Sequence, residues 1–384
     1  MIYLDAASTA KYQNKDDIIT STITTAMTDS WMNPSSLYAA NVKEKINKCR
    51  ANVAKFIGAE TDEIYFTSGA SEGNSWAIRG FVDNWRLDDY KLINVIATPI
   101  EHKSTLNIIN NSSLGAFIRY CNVDKFGIID CKHLESMLCL CNENRQPTMV
   151  TVCMANNEIG TIQDIKNIAD LVHKYDGVLH VDATQCFGHI PINVKELSID
   201  MMSCSGHKVS PVLRGIGFLY KKNGINIQPL IYGAQENGMR GGTENTYGII
   251  GLNKAIEHCD ISHETMMELC DKRDYFISLL KSEFGCKLNG HCKYRLPNNI
   301  NVTFPQNING ESLLYMLDIS NIKVSTGSAC NSKSIEPSYV LKAIGLNDSE
   351  AMKTIRFTLP NDITYENIDN VINEIGKAIK IIET

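Results

Sequence analysis

No run of apolar residues in this chain approaches the ~18 that a bilayer-spanning helix needs, so no segment is expected to cross a membrane. No block of Lys and Arg stands out either. The 37 basic residues are outnumbered by 43 acidic ones, for a net charge of −6, which leaves no electrostatic footprint for nucleic acid. The opening residues, MIYLDAASTAKYQNKDD, lack the basic-then-apolar layout of a secretory leader and the Arg-rich look of a transit peptide. The expected location is the cytoplasm. There is no Pro/Gly/Ser linker, low-complexity tract or internal repeat, so neither a string of tethered modules nor a solenoid is expected. Cysteine is plentiful, but paired cysteine is not. The 13 cysteines are an odd, scattered set, which argues against a disulfide framework. The closest pair, Cys139 and Cys141, is spaced C-x-C with no second pair nearby, so no zinc site is expected.

What is present reads as a globular α/β protein. At 384 residues the chain is long for one core, and a prior of about 150 residues per domain suggests two. Short apolar runs bounded by turn signals mark strands at Ile64–Thr67, Leu92–Ala97, Met149–Met154, Val178–Val181 and Gly215–Tyr220. Between the third and fourth, Ile165, Ile168, Ala169 and Val172 fall at helical spacing. Near-continuous apolar strands alternating with helices predict a mostly parallel sheet covered on both faces. After about Ser262 the pattern changes to a long helix-like stretch, Thr265–Lys281, then shorter strands. A second, smaller domain is expected there.

In such a sheet, ligands bind at the carboxyl ends of the strands. Thr67-Ser68-Gly69-Ala70-Ser71-Glu72-Gly73-Asn74 follows a strand and opens a helix; small residues at a helix N-terminus suit an anion, though a plain capped turn would look alike. His180-Val181-Asp182-Ala183-Thr184-Gln185 puts a carboxylate at a buried strand end. It needs a partner, such as a protonated pyridine nitrogen or a helix start. Ser203-Cys204-Ser205-Gly206-His207-Lys208 follows soon after. A pocketed lysine can lose its proton and react with a carbonyl. Asn156-Asn157-Glu158-Ile159-Gly160 and Pro99-Ile100-Glu101-His102 also end strands; each alone reads equally as a polar turn. Gly327-Ser328-Ala329-Cys330-Asn331-Ser332-Lys333 is a small, polar stretch, expected to be a flexible loop that exposes Cys330 as a nucleophile. Arg356 sits inside an apolar strand-like run and needs an anion, either a substrate carboxylate or a structural acid.

Taken in order along nearly the whole chain, these stretches resemble the cysteine desulfurases of the NifS/IscS kind, class V aminotransferases of fold type I. Tyr3-Leu4-Asp5, Asn33-Pro34-Ser35-Ser36, Arg240-Gly241-Gly242-Thr243 and Ile355-Arg356 add to the match. The resemblance implies a large domain with a mostly parallel seven-stranded sheet, residues 12–262, and a smaller α+β domain from 1–11 and 263–384. It implies pyridoxal 5'-phosphate as cofactor, held covalently by Lys208, with Asp182 on the ring nitrogen and Gln185 and Asn157 on the ring oxygen. His102 would stack on the ring. Ala70, Ser71, Ser205 and His207 would bind the phosphate, and Thr243 the phosphate of the other subunit in a homodimer. Arg356, Asn157 and Asn33 would bind the substrate, L-cysteine. Cys330 would take its sulfur as a persulfide, leave alanine, and pass the sulfur to an acceptor or scaffold protein for iron–sulfur assembly or thiolation. Ile335-Glu336-Pro337-Ser338 matches the first type of the family, with the longer cysteine loop.

The departures are local. Tyr38 and Asn41 stand where relatives have His and Gly. Asp5-Ala6-Ala7-Ser8-Thr9-Ala10 replaces Asp-Asn-(Ala/Ser)-Ala-Thr-Thr. The segment Val209-Ser210-Pro211-Val212-Leu213-Arg214-Gly215 is one residue longer than its counterpart, and Tyr232-Gly233-Ala234 replaces a glycine triplet. A selenocysteine lyase or small-amino-acid aminotransferase would share Lys208 and Asp182, but transamination has no need of Cys330. A non-enzymatic scaffold would have lost the lysine.

Overall fold

Runs of Ile, Val, Met and Phe too short to be helices become strands here because both of their faces can be covered. A short first strand, β1 (Ile2–Tyr3), precedes a sheet of seven. These are β2 (Ile64–Thr67), β3 (Asn94–Ala97), β4 (Phe117–Tyr120), β5 (Thr148–Cys153), β6 (Val178–Asp182), β7 (Met201–Ser205) and β8 (Gly217–Lys221), in the order β2-β8-β7-β6-β5-β3-β4. All run parallel except β8, which pairs antiparallel with both β2 and β7. The computed structural model describes residues 1–87, 92–305, 308–326, 329–331 and 334–382, except for the side chains of 329–331, 334 and 335.

Alternation along each strand sends side chains to opposite layers. Val150 and Val152 join one apolar cluster with Ile168 and Val172, whereas Met149 joins another with Trp76 and Phe81. The helix Ile165–Lys174 buries Ile165, Ile168, Ala169 and Val172 on one face, and the Asp164 side chain caps its start by accepting from the Asn167 N–H. β4, at the sheet edge, is only half buried.

The rest of the chain builds a second sheet from β9 (Lys287–Leu288), β10 (Asn299–Thr303), β12 (Ser325–Thr326) and β15 (Thr354–Thr358). β11 (Ile322–Lys323) pairs parallel with β1, so Leu4 packs with Phe276, Phe357 and Val371. The helices His263–Phe284 and Tyr365–Ile382 cover this sheet. β13 (Ala329–Asn331) and β14 (Ser334–Glu336) pair antiparallel, with Cys330 opposite Ile335. Within the segment expected as a flexible loop, residues 329–331 and 334–336 are thus paired. Small polar residues satisfy backbone donors and acceptors by pairing as readily as apolar ones do. Gly327, Ser328, Ser332 and Lys333 and the Cys330 side chain lie outside the described residues. No helix among the described residues is long and apolar enough to cross a membrane.

The start of the helix Ala70–Leu87 is pressed against the sheet at two glycines. Gly69 takes φ 149°, which L side chains rarely adopt. A Cβ on Gly217 would lie 2.3 Å from the Cys204 carbonyl and 2.7 Å from Gly69 Cα. Gly217→Ala is therefore expected to destabilise the protein by about 1–3 kcal/mol, the scale of overpacking. A denaturant midpoint equal to wild type would show that the backbone can move aside.

Candidate active site

The carboxyl ends of β2, β3, β5, β6 and β7 converge on one cavity of about 620 Å³. Asp182 ends β6 and is 5% exposed. Its Oδ2 accepts from Asn74 Nδ2 at 2.8 Å, and its Oδ1 accepts from the Thr184 N–H at 3.0 Å and from the Thr184 hydroxyl. All three donors are neutral. No ion pair to Asp182 is found among the described residues. Such a buried carboxylate still calls for a positive partner from the cavity side.

Lys208 follows β7 in a short turn and reaches the same cavity. Its Nζ donates to the carbonyls of Ala7 at 2.6 Å and Ser8 at 2.7 Å. Burial first, then the Arg356 charge, push its ammonium down to about 8, against the pull of Asp5 and Asp182. Ser205 and His207 are bonded through Oγ and Nδ1 at 2.8 Å. Burial and the neighbouring Lys208 push His207 down to about 4, so it is neutral at physiological pH. These two side chains and the start of the helix at Ala70 and Ser71 line one end of the cavity, where N–H and hydroxyl donors suit a phosphate.

His102 caps the helix Lys103–Ile109. Its Nδ1 accepts from the Ser104 N–H at 3.1 Å, which leaves the proton of the neutral ring on Nε2. Burial holds its pKa below the ordinary value, opposed in part by Asp182. Behind it Glu101 is fully buried, with Oε1 accepting from the Thr98 hydroxyl at 2.5 Å. Burial pushes that carboxyl up to about 8. Gln185 and Asn157 also line the cavity, and Gln185 Nε2 donates to the Ala7 carbonyl at 3.1 Å.

Arg356, on β15, closes the opposite side and is 6% exposed. Its Nη2 donates to Asp5 Oδ1 at 2.5 Å and Ser8 Oγ at 3.0 Å, and its Nη1 to the Asn157 carbonyl at 3.2 Å. Its Nε is buried with no hydrogen-bond partner among the described residues. Of the two partners the sequence left open for this arginine, the structure supplies the structural acid.

Of the expected residues whose side chains are described, two are not in this cavity. Asn33 is exposed and accepts from the Ser35 N–H at 3.0 Å. Thr243 lines a neighbouring pocket of about 200 Å³ with Arg240, Gly242 and Glu236. Several residues that do meet at the site were missed in the sequence. Asn74 was signalled only by its place in the first turns of a glycine-rich helix start. Asp5, Ala7, Ser8 and Arg214 carried no signal beyond membership of a matching or altered segment.

This arrangement can be compared with known proteins. The aminotransferase class-V family matches residues 2–371. The chain belongs to that family. Among its class-V relatives, the cysteine desulfurase IscS of Dictyoglomus turgidum is 38% identical over 389 residues, covering 100% of this chain and 95% of the relative. The cysteine desulfurase IscS of Methanosarcina thermophila is 38% identical over 99% of this chain and 92% of its own length. Of solved structures, a NifS-like protein superposes with a TM-score of 0.88 at 30% identity over 99% of both chains. SspA in complex with cysteine does so with a TM-score of 0.80 at 34% identity, over 94% of this chain and 99% of that one. The fold is that of the NifS-like fold type I enzymes.

The depressed Lys208 ammonium gives a pH test. Only the unprotonated amine attacks an aldehyde, and its fraction rises as pH rises through about 8. The rate at which protein freed of cofactor takes up pyridoxal phosphate, read as visible absorption, is expected to climb through that pH and then level off. A rate that keeps climbing to pH 10 would place the lysine in an ordinary, solvated environment.

Proposed function

We propose that this class-V enzyme is a pyridoxal-phosphate-dependent cysteine desulfurase that converts L-cysteine to L-alanine and leaves the sulfur on Cys330. One observation carries the reading. A single cavity brings together a deprotonatable lysine, a buried carboxylate bonded to neutral donors among the described residues, and a buried arginine.

The residues present fit the cofactor. Asp182 needs a positive partner from the cavity, which a protonated ring nitrogen supplies. Ala70, Ser71, Ser205 and His207 offer the phosphate a helix start and neutral donors without a competing carboxylate bonded to the Ser205–His207 pair. Gln185 and Asn157 would hold the ring oxygen, His102 would lie over the ring, and Lys208 would hold the aldehyde carbon. Pyridoxal phosphate bound there supplies an electron sink for the bonds around the substrate's Cα.

The chain's own groups do the rest. Arg356, which lines the cavity, takes the substrate's α-carboxylate, with Asn157 alongside. Lys208, close to its pKa at physiological pH, removes and returns the Cα proton. His102 holds a proton on Nε2 and can hand it on within the cavity. Cys330 attacks the substrate's sulfur. Its Sγ–S bond forms as the substrate's Cβ–S bond breaks, and protonation of that carbon leaves alanine. The persulfide then goes to an acceptor or scaffold protein.

Two further readings belong to this proposal. Thr243, exposed and outside its own cavity, would reach the phosphate of the partner subunit in a homodimer. The free cysteines among the described residues suit the reducing cytoplasm.

The test is a visible spectrum before and after addition of L-cysteine, with alanine and sulfide assayed together. Equal alanine and reductant-dependent sulfide are expected from the wild type. Cys330→Ala is expected to keep the cofactor band and lose sulfide release, and Lys208→Ala to lose the band. Sulfide release by Cys330→Ala at the wild-type rate would remove that thiol from the reaction. A spectral response to cysteine without alanine would move the protein to another substrate.

A further inference from the structure

We propose that Asp5, seconded by Ser8, is a positioning residue that orients the Arg356 guanidinium at the cavity wall for the α-carboxylate of the substrate. This deepens the functional reading above and rests on it. A buried guanidinium has five N–H donors and several orientations about its long side chain. Three of its bonds here go to fixed acceptors: Asp5 Oδ1, Ser8 Oγ and the Asn157 carbonyl. Together they tie down both terminal nitrogens and leave Nε unpaired and buried.

The acceptors are fixed independently of Arg356. The Leu4 carbonyl accepts from the Thr358 N–H at 2.7 Å, and the Ala6 N–H donates to the Thr358 carbonyl at 3.4 Å, so Asp5 is docked beside the strand that carries the arginine. The Tyr3 hydroxyl donates to the carbonyls of Asp5 at 3.1 Å and Thr9 at 2.8 Å, bracing the turn from behind. Ser8 Oγ donates to Asp5 Oδ1 at 2.9 Å while it accepts from Arg356, which closes a three-membered ring of hydrogen bonds. Asp5 also sets the charge. Paired with it, Arg356 faces the cavity as a partly neutralised cation rather than a free unit charge, which suits the single carboxylate of a zwitterionic amino acid. The same turn touches the reacting lysine, since Ala7 and Ser8 accept from Lys208. The carboxylate-binding and amine-bearing ends of the site therefore share one brace.

The test measures binding of L-alanine, the expected product, to the cofactor-loaded protein by the change in its visible spectrum. KM and kcat for L-cysteine are measured beside it. Asp5→Ala is expected to weaken L-alanine binding about tenfold or more, the scale for removing one partner of a buried charge pair. The loss should fall on KM rather than kcat, with cofactor content unchanged. Asp5→Asn keeps an acceptor oxygen but not the charge and is expected to recover part of the binding. Ser8→Ala, which removes no charge and folds even where Asp5→Ala does not, is expected to weaken it about threefold, for one hydrogen bond. Unchanged binding in both Asp5→Ala and Ser8→Ala would overturn the assignment. Tighter binding in Asp5→Ala would also overturn it, showing that Asp5 competes with the substrate for the guanidinium. A wild-type protein that responds to neither L-alanine nor L-cysteine would sink the functional reading itself.

Discussion

Asp182 is an almost fully buried carboxylate with no cation bonded to it among the described residues, and much of the large domain is arranged around that fact. A charge left in that position without compensation would cost several kcal/mol. Its neutral donors come from two directions. Thr184 lies just beyond the same strand, and Asn74 lies on the helix Ala70–Leu87, whose first turns must then lie across the strand ends. Asn74 also donates to Ser104 Oγ at 2.9 Å, and Ser104 in turn bonds the ring of His102. One carboxylate thus fixes the helix start that suits a phosphate and, through two further side chains, the imidazole on the other side of the cavity. The close contact of Gly69 and Gly217 is the packing counterpart of this arrangement.

The second constraint is that the arginine of the site belongs to the smaller sheet. Arg356 comes from β15, and its orientation depends on a turn that precedes every helix of the chain. The two sheets are also joined behind the cavity. The Tyr339 hydroxyl donates to the Glu101 carbonyl at 2.8 Å, and the Ser338 hydroxyl bonds Glu158. Ile100, Ile159, Val340 and Leu341 pack together at the same junction. A cavity whose walls come from both sheets keeps its dimensions only while this junction is intact.

Much of this was legible in the sequence because short apolar runs ending in polar residues are how a parallel sheet with a ligand edge is written. β2, β5 and β6 lie within a residue or so of the runs read as strands, and Lys208, Asp182, His102 and Asn157 meet in the cavity as residues just past strand ends should. Two strands were not anticipated. β7 carries Ser203 and Ser205 in a fully buried strand, and Ser203 escapes the penalty by bonding His180 Nε2 at 2.9 Å, a partner in the adjacent strand that no local pattern announces. β4 is a half-exposed edge strand with no apolar run. The Cys330 segment was read from composition as an open loop, yet part of it pairs as a hairpin, since backbone pairing does not require apolar side chains. Asp5 and Ser8 escaped notice because their partners are set by tertiary structure alone.

The distance along the chain between Asp5 and Arg356 has a consequence for biosynthesis. Their hydrogen bond joins residues 351 apart in sequence, and β1 can complete its pairing only with β11. A ribosome delivers the chain from its N-terminus at about 5–20 residues per second, so Asp5 waits about 20–70 seconds for Arg356 to be made. During that interval the large sheet can form, but the wall that receives a substrate carboxylate cannot. A nascent or prematurely terminated chain that lacks Arg356 therefore cannot assemble that side of the cavity.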